Sequence, residues 1–162
     1  MPTDFGAMDH RRFMAEAIKE AQLAAQSGEL PIGAVVVHNN VIVGRGHAQH
    51  NARGSKVAHA EMSALIQAER YLNARGRDGF VIYSTVEPCV MCLGAIVMSN
   101  VDHVVYGLPD NWIKPRGMLK IDYVAKRIGN YLGGVLADEC LQLFQTCRPE
   151  DVPLLLEGKW TR

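Results

Sequence analysis

The sequence carries no excess of charge of either sign. Seventeen Lys and Arg balance seventeen Asp and Glu, so the 162-residue chain has a formal net charge of zero and a pI of about 7.0. A protein that grips a phosphate backbone is expected to be basic on at least one face. The short run Lys114, Arg116 and Lys120 reads more simply as solvated surface, so no nucleic-acid partner is expected. No stretch approaches about 18 uninterrupted apolar residues, which argues against a membrane span. The opening MPTDFGAMDHRRF lacks a basic region followed by an apolar one, so no secretory leader is expected, and residues 1–7 read as a loose lead. These absences point to the cytoplasm, where four cysteines suit metal ligation or burial better than disulfides. Nor does any repeat or low-complexity linker divide the chain, which reads as one domain over residues 1–162.

With 48% hydrophobic and 21% charged residues, the composition is that of a globular domain with a sizeable core. Met8 to Ser27 has a helical pattern stopped by Gly28. Ile32–Val37 and Val41–Gly44 read as strands turned at Asn39–Asn40, because Asn tolerates the left-handed conformations of tight hairpins. Ala48 to Lys56 reads as a polar loop. GFVIYST and HVVYG are buried-type strands separated by a helix that starts near Pro88. YLGGVL is a candidate fifth strand, and ADECLQLFQTC a helix for which Asp138 is the expected N-cap. Strands alternating with helices after a first hairpin predict an α/β fold, a three-layer α/β/α sandwich around a mixed five-stranded sheet.

The stretch VAHAEMSALIQA places His59 and Glu61 two residues apart at the head of a helical run. Positions i and i+2 diverge around a helix, so the two side chains can share only a site in front of the first turn. A second stretch, EPCVMC, places Cys89 and Cys92 at i and i+3, on one side of the helix near Pro88. Helix dipole and unpaired amides favour thiolates there. One imidazole and two thiolates give three corners of a tetrahedral zinc site, and a fourth corner left for water marks a catalytic centre. A structural zinc site would need a fourth ligand, from His47, His50 or Cys140, and a lone Cys-x-x-Cys is also compatible with redox chemistry. Both readings leave Glu61 unexplained.

H-x-E followed by P-C-x-x-C is the signature of zinc deaminases, in which the Glu moves protons and is not a ligand. The chain resembles the cytidine deaminase-like superfamily, in the branch of fungal cytosine deaminase, guanine deaminase and tRNA adenosine deaminase. The motifs LPIGAVVV, GRGH, AHAE, EPCVMCLGAI and VVYG carry the resemblance, from about Leu30 to Leu108. It implies that His59, Cys89 and Cys92 hold Zn2+, that Glu61 is the acid and base, and that the Ala60 and Cys89 amides steady the reacting centre. It further implies that the Glu87 carbonyl meets the exocyclic amine, that Trp112 closes over the base, and that the protein is a homodimer. Two positions depart from the branch. Its ring-binding Asn, eleven residues before the zinc His, is here Ala48, with Gln49, His50 or Asn51 as nearby replacements; its C-terminal carboxylate is here Leu155, with Glu157 two residues on.

The expected function is hydrolytic deamination of a small-molecule heterocyclic base, cytosine or a related ring such as guanine, creatinine or an aminotriazine. GRGH and FQTCRPEDV resemble the fungal-type cytosine deaminases, and PEDVPLLLEGKW is acidic and apolar where a tRNA enzyme needs basic residues. The alternatives are a tRNA-specific adenosine deaminase, which EPCVMC and GVLADEC also fit, and a non-catalytic zinc-stabilised binding module.

Overall fold

A computed structural model of the chain describes residues 3–160. Strand β1 (Gly33–His38) and strand β2 (Val41–His47) form an antiparallel hairpin, followed by β3 (Val81–Val86), β4 (His103–Leu108) and β5 (Asn130–Leu132). The sheet order is β2-β1-β3-β4-β5, with β3–β4 and β4–β5 parallel. Asn39 and Asn40 both take positive φ in the hairpin turn, as a primed turn requires.

Alternating residues of β1 feed opposite layers. Ala34 and Val36 pack with helix α3 (Ala60–Arg75) and helix α4 (Val90–Met98), whereas Val35 and Val37 pack with helix α1 (His10–Gln26) and helix α6 (Ala137–Cys147). β1 and β3 are buried along their whole length. The expected three-layer α/β/α sandwich with a mixed five-stranded sheet is the observed one.

The GRGH motif of β2 has a packing reason. A Cβ on Gly44 or Gly46 would run into the backbone of α3, at Ala64 and Ala60 respectively. The two glycines therefore let the first turn of α3 lie directly on the sheet.

Several local expectations are corrected. The lead is ordered from residue 3 onward: the Asp4 carboxylate accepts from the Gly6 amide, turning Phe5–Ala7 into a short 3-10 helix, and the Phe5 ring lies 4.4 Å from His10 and 4.9 Å from His103. Residues 1 and 2 lie outside the described residues. The loop expected over 48–56 contains a short helix, α2 (His50–Arg53), because Glu29 accepts from the amides of Asn51 and Ala52. Asp138 is not the cap of α6; Leu136 occupies that position with positive φ, and Asp138 sits in the first turn. After β4 come a 3-10 helix (Pro115–Lys120), helix α5 (Asp122–Arg127) and, at the C-terminal end, helix α7 (Val152–Glu157). No helix among the described residues is long and apolar enough to cross a membrane.

Candidate active site

Two helix N-termini converge at the carboxyl ends of the parallel strands. His59 is the N-cap of α3 and Cys89 the N-cap of α4, both in extended backbone and neither giving its side chain to cap its own helix. Their side chains are thus free to face each other across the gap. His59 Nδ1 lies 3.6 Å from Cys89 Sγ and 3.5 Å from Cys92 Sγ. All three donor atoms lie within 4.8 Å of one another, and among the described residues the group has these three members.

The other suggested ligands are elsewhere. His47 bonds to Glu20, and Cys140 lies in the core on the opposite side of the sheet. His50 approaches His59 ring to ring, edge-on at 4.8 Å, from the cavity wall.

The donor chemistry fits a soft dication. A hydrogen bond from Cys92, and then one from His59, bring the Cys89 thiol down to a pKa of about 4, while the Cys89 sulfur beside it pushes Cys92 up. His59 is raised, first by its hydrogen bond with Cys89. Three groups contending for the same protons are relieved when one cation takes their place, and two sulfurs with one imidazole suit zinc.

Glu61 occupies the second position of α3 and is only 3% exposed. Ser84 Oγ donates to its Oε1 at 2.9 Å, from the end of β3. Desolvation is the main cause that lifts its pKa above the usual carboxylate range. The i, i+2 spacing thus puts metal donor and carboxylate together in front of one helix end.

A cavity of about 320 Å³ opens above these groups, enough for a purine ring and at the small end for ligand sites. Ala48, Ala60, Glu61 and Glu87 line it. Asn51 does not: it sits in α2, where its backbone N–H donates to Glu29, and it is absent from the cavity wall. Trp112 also lies outside the wall, half exposed, and its neighbour Ile113 takes the inward position. The Gln49 amide turns toward His47, so His50 is the residue that faces the cavity beside Ala48. Glu157 points outward to Lys159; the carboxylate that the C-terminal segment brings to the cavity is Asp151, with Leu155 also in the wall.

Sequence reasoning missed Asp110, Arg148 and Leu154 in the lining. Asp110 Oδ1 caps the loop after β4 by accepting from the Trp112 and Ile113 amides. The Glu87 side chain, rather than only its carbonyl, proves central. It accepts from the Asp110 amide and the Tyr131 hydroxyl, both at 2.9 Å, with Arg116 Nε at 3.5 Å.

Residues 7–108 match the family described as the cytidine and deoxycytidylate deaminase zinc-binding region. The chain belongs to that family. It is a zinc-dependent hydrolytic deaminase by this membership, and its donor cluster is where that family's metal fits. Among curated relatives of this deaminase, the tRNA-specific adenosine deaminase of Bacillus subtilis (strain 168) is 40% identical over 131 residues, covering 79% of this chain and 81% of the relative. Among solved structures, one described for A-to-I editing by tRNA:A34 deaminases at the wobble position superposes with a TM-score of 0.68 at 26% identity, covering 82% of this chain and 98% of the other. The guanine deaminase of Nitrosomonas europaea superposes with a TM-score of 0.71 over 90% of this chain and 87% of that one; at 21% identity it bears on the fold alone.

These relatives overturn two expectations, that the substrate is a free heterocyclic base and that no nucleic acid is involved. The physical reason lies in the averaging: a net charge of zero reports the whole surface and says nothing of the few groups around one cavity mouth.

Proposed function

We propose that this chain deaminates adenosine within tRNA, releasing ammonia and leaving inosine. The observation that carries the reading is a buried Glu61 carboxylate meeting one imidazole and two sulfurs at the cavity floor, in a chain 40% identical to a tRNA-specific adenosine deaminase.

Zinc, when bound by His59, Cys89 and Cys92, supplies the Lewis acidity that makes water nucleophilic near neutral pH. Glu61 supplies the proton traffic. Its carboxylate takes a proton from the attacking water and passes it to ring N1 of adenine as the water oxygen bonds to C6. It then takes the remaining hydroxyl proton and delivers it to the amine, the C6–N bond breaks, and ammonia departs. One water is consumed, and a carbonyl replaces the amino group. Desolvation suits Glu61 to this, because it raises the carboxylate's affinity for a proton. Ser84 fixes the orientation of the carboxylate. The family resemblance gives the amides of Ala60 and Cys89, at the starts of α3 and α4, the role of steadying the reacting centre, and the Glu87 carbonyl that of meeting the amine.

The cavity has room for one base and not for a stacked duplex, so the target nucleotide enters unstacked from a single-stranded loop. The test offers zinc-loaded protein a tRNA anticodon stem–loop with adenosine at the wobble position, beside cytosine and guanine as free bases. Inosine in the RNA, with equivalent ammonia, is the expected result. Turnover of the free bases with the stem–loop left intact would overturn the reading.

A further inference from the structure

The chain has two tryptophans: Trp112 lies between the cavity-lining Asp110 and Ile113, and Trp160 packs beside Trp112. Trp112 is 49% exposed and Trp160 57%, with ring centroids 5.6 Å apart and planes inclined at 34°. Each indole adjoins a backbone contact between the loop after β4 and the C-terminal turn. The Trp112 amide donates to Asp110 Oδ1, and Asp110 and Ile113, on either side of it, line the cavity. Trp160 follows the left-handed Gly158 that ends α7, and a Cβ on Gly158 would press to 2.6 Å from the Asn111 carbonyl. The C-terminal turn therefore packs against the loop that carries Trp112. The Asn111 amide and side chain fasten the two together through the carbonyls of Leu155 and Leu156.

Core packing does not account for this pair, since roughly half of each ring stays in water. Cations that a phosphate chain can use adjoin the pair in sequence: Lys114, two residues after Trp112, makes no ion pair among the described residues, and Lys159, next to Trp160, pairs with Glu157 at the surface, where the pair holds little free energy. An RNA loop that gives up one base to the cavity leaves its neighbours unstacked outside it. Exposed aromatic faces beside basic side chains bind such bases without regard to sequence.

We propose that Trp112 and Trp160 form a stacking platform for a nucleotide adjacent to the target adenosine. The inference rests on the tRNA reading above and adds the surface that receives the flanking RNA. Because these are the two tryptophans of the chain, indole fluorescence reports on the platform directly. Glu61→Gln protein, which holds the RNA without turning it over, is titrated with the anticodon stem–loop, and saturable quenching is expected. Trp160→Ala, at a position beyond the last helix, should lower kcat/KM for the stem–loop about ten-fold, chiefly through KM. Trp160→Phe should restore most of that loss, and melting temperatures show whether either variant is folded. A stem–loop that is deaminated with unchanged fluorescence and unchanged KM in Trp160→Ala overturns the platform and leaves the tRNA reading standing. A stem–loop neither bound nor deaminated overturns both. An indole signal that follows protein concentration and ignores RNA would assign the pair to self-association instead.

Discussion

The Glu87 carboxylate and the Asp110 amide are joined by a 2.9 Å hydrogen bond that ties the approach to α4 to the loop after β4. The carboxylate is fully buried, and it also receives the Tyr131 hydroxyl and faces Arg116. Arg116 in turn donates to Asn111, which holds α7. One side chain two residues before Cys89 thus links the approach to α4 with the loop after β4 and, through Arg116 and Asn111, with α7. Glu87→Ala leaves these partners unsatisfied and is expected to cost about 3 kcal/mol, a fall in Tm on the order of 10 °C. Glu87→Gln keeps one accepting oxygen for the Asp110 amide and offers the Tyr131 hydroxyl an N–H to accept, so it should cost less. Thermal melts of both variants check this, and equal melts would mean that the network adds nothing.

Glu61→Gln is expected to keep its zinc and lose activity by about 10³-fold, because the amide preserves shape and cannot carry a proton. Glu61→Asp, too short to span the same gap, should behave alike. Metal analysis and ammonia release on the same samples separate binding from chemistry. Undiminished turnover in Glu61→Gln would remove the carboxylate from the mechanism.

Cys92 is completely buried and faces His59 Nδ1. Cys92→Ala should reduce zinc from about one per chain to well below half, since two remaining donors make a poor site. A strong chelator should abolish activity in the unaltered protein, and added zinc should return it. Full metal content in Cys92→Ala would place the ion elsewhere.

His10 and His103 flank Phe5 far from the metal donors, and burial is the first cause depressing both pKa values below 6.5. The unfolded chain therefore binds protons at a pH where these two imidazoles do not. Their contribution is fully present above about pH 6.5 and is lost as pH falls through the depressed values. Urea midpoints at pH 7.5, 6 and 5 should decline, and the double variant His10→Gln/His103→Gln should decline less steeply. Parallel curves for the two proteins would show that neither imidazole is involved.

Gly46→Val is expected to push α3 off the sheet at Ala60, one residue from His59. Both stability and zinc affinity should fall, whereas valine at Gly94, whose Cβ direction is open, should leave the metal site intact. Zinc titrations of the two variants make the comparison.

What was legible in the sequence was local. His59–Glu61 and Cys89–Cys92 are read from helix geometry over two or three residues, and β1 and β3 from unbroken apolar runs. Helix α2 was not legible, because its amides are capped by Glu29, more than twenty residues away. The inward turn of Ile113 instead of Trp112 depends on the Asp110 cap, and the arrival of Asp151 and Leu154 at the cavity depends on Asn111. Neither has a periodic signature. Substrate class was misread from bulk charge for a related reason: recognition at a rim is set by a handful of side chains.

Helix α7 has no fully buried residue: Val152, Leu155 and Leu156 pack part-buried against the core, and Asn111 holds two of its main-chain carbonyls. A C-terminal helix with no fully buried residue opens more often than the domain unfolds. Its amides should exchange with solvent well before those of β3, and its detachment would widen the entrance while the metal donors stay in place. The rate at which substrate is admitted and released can then be set by this segment, independently of the bond-breaking step.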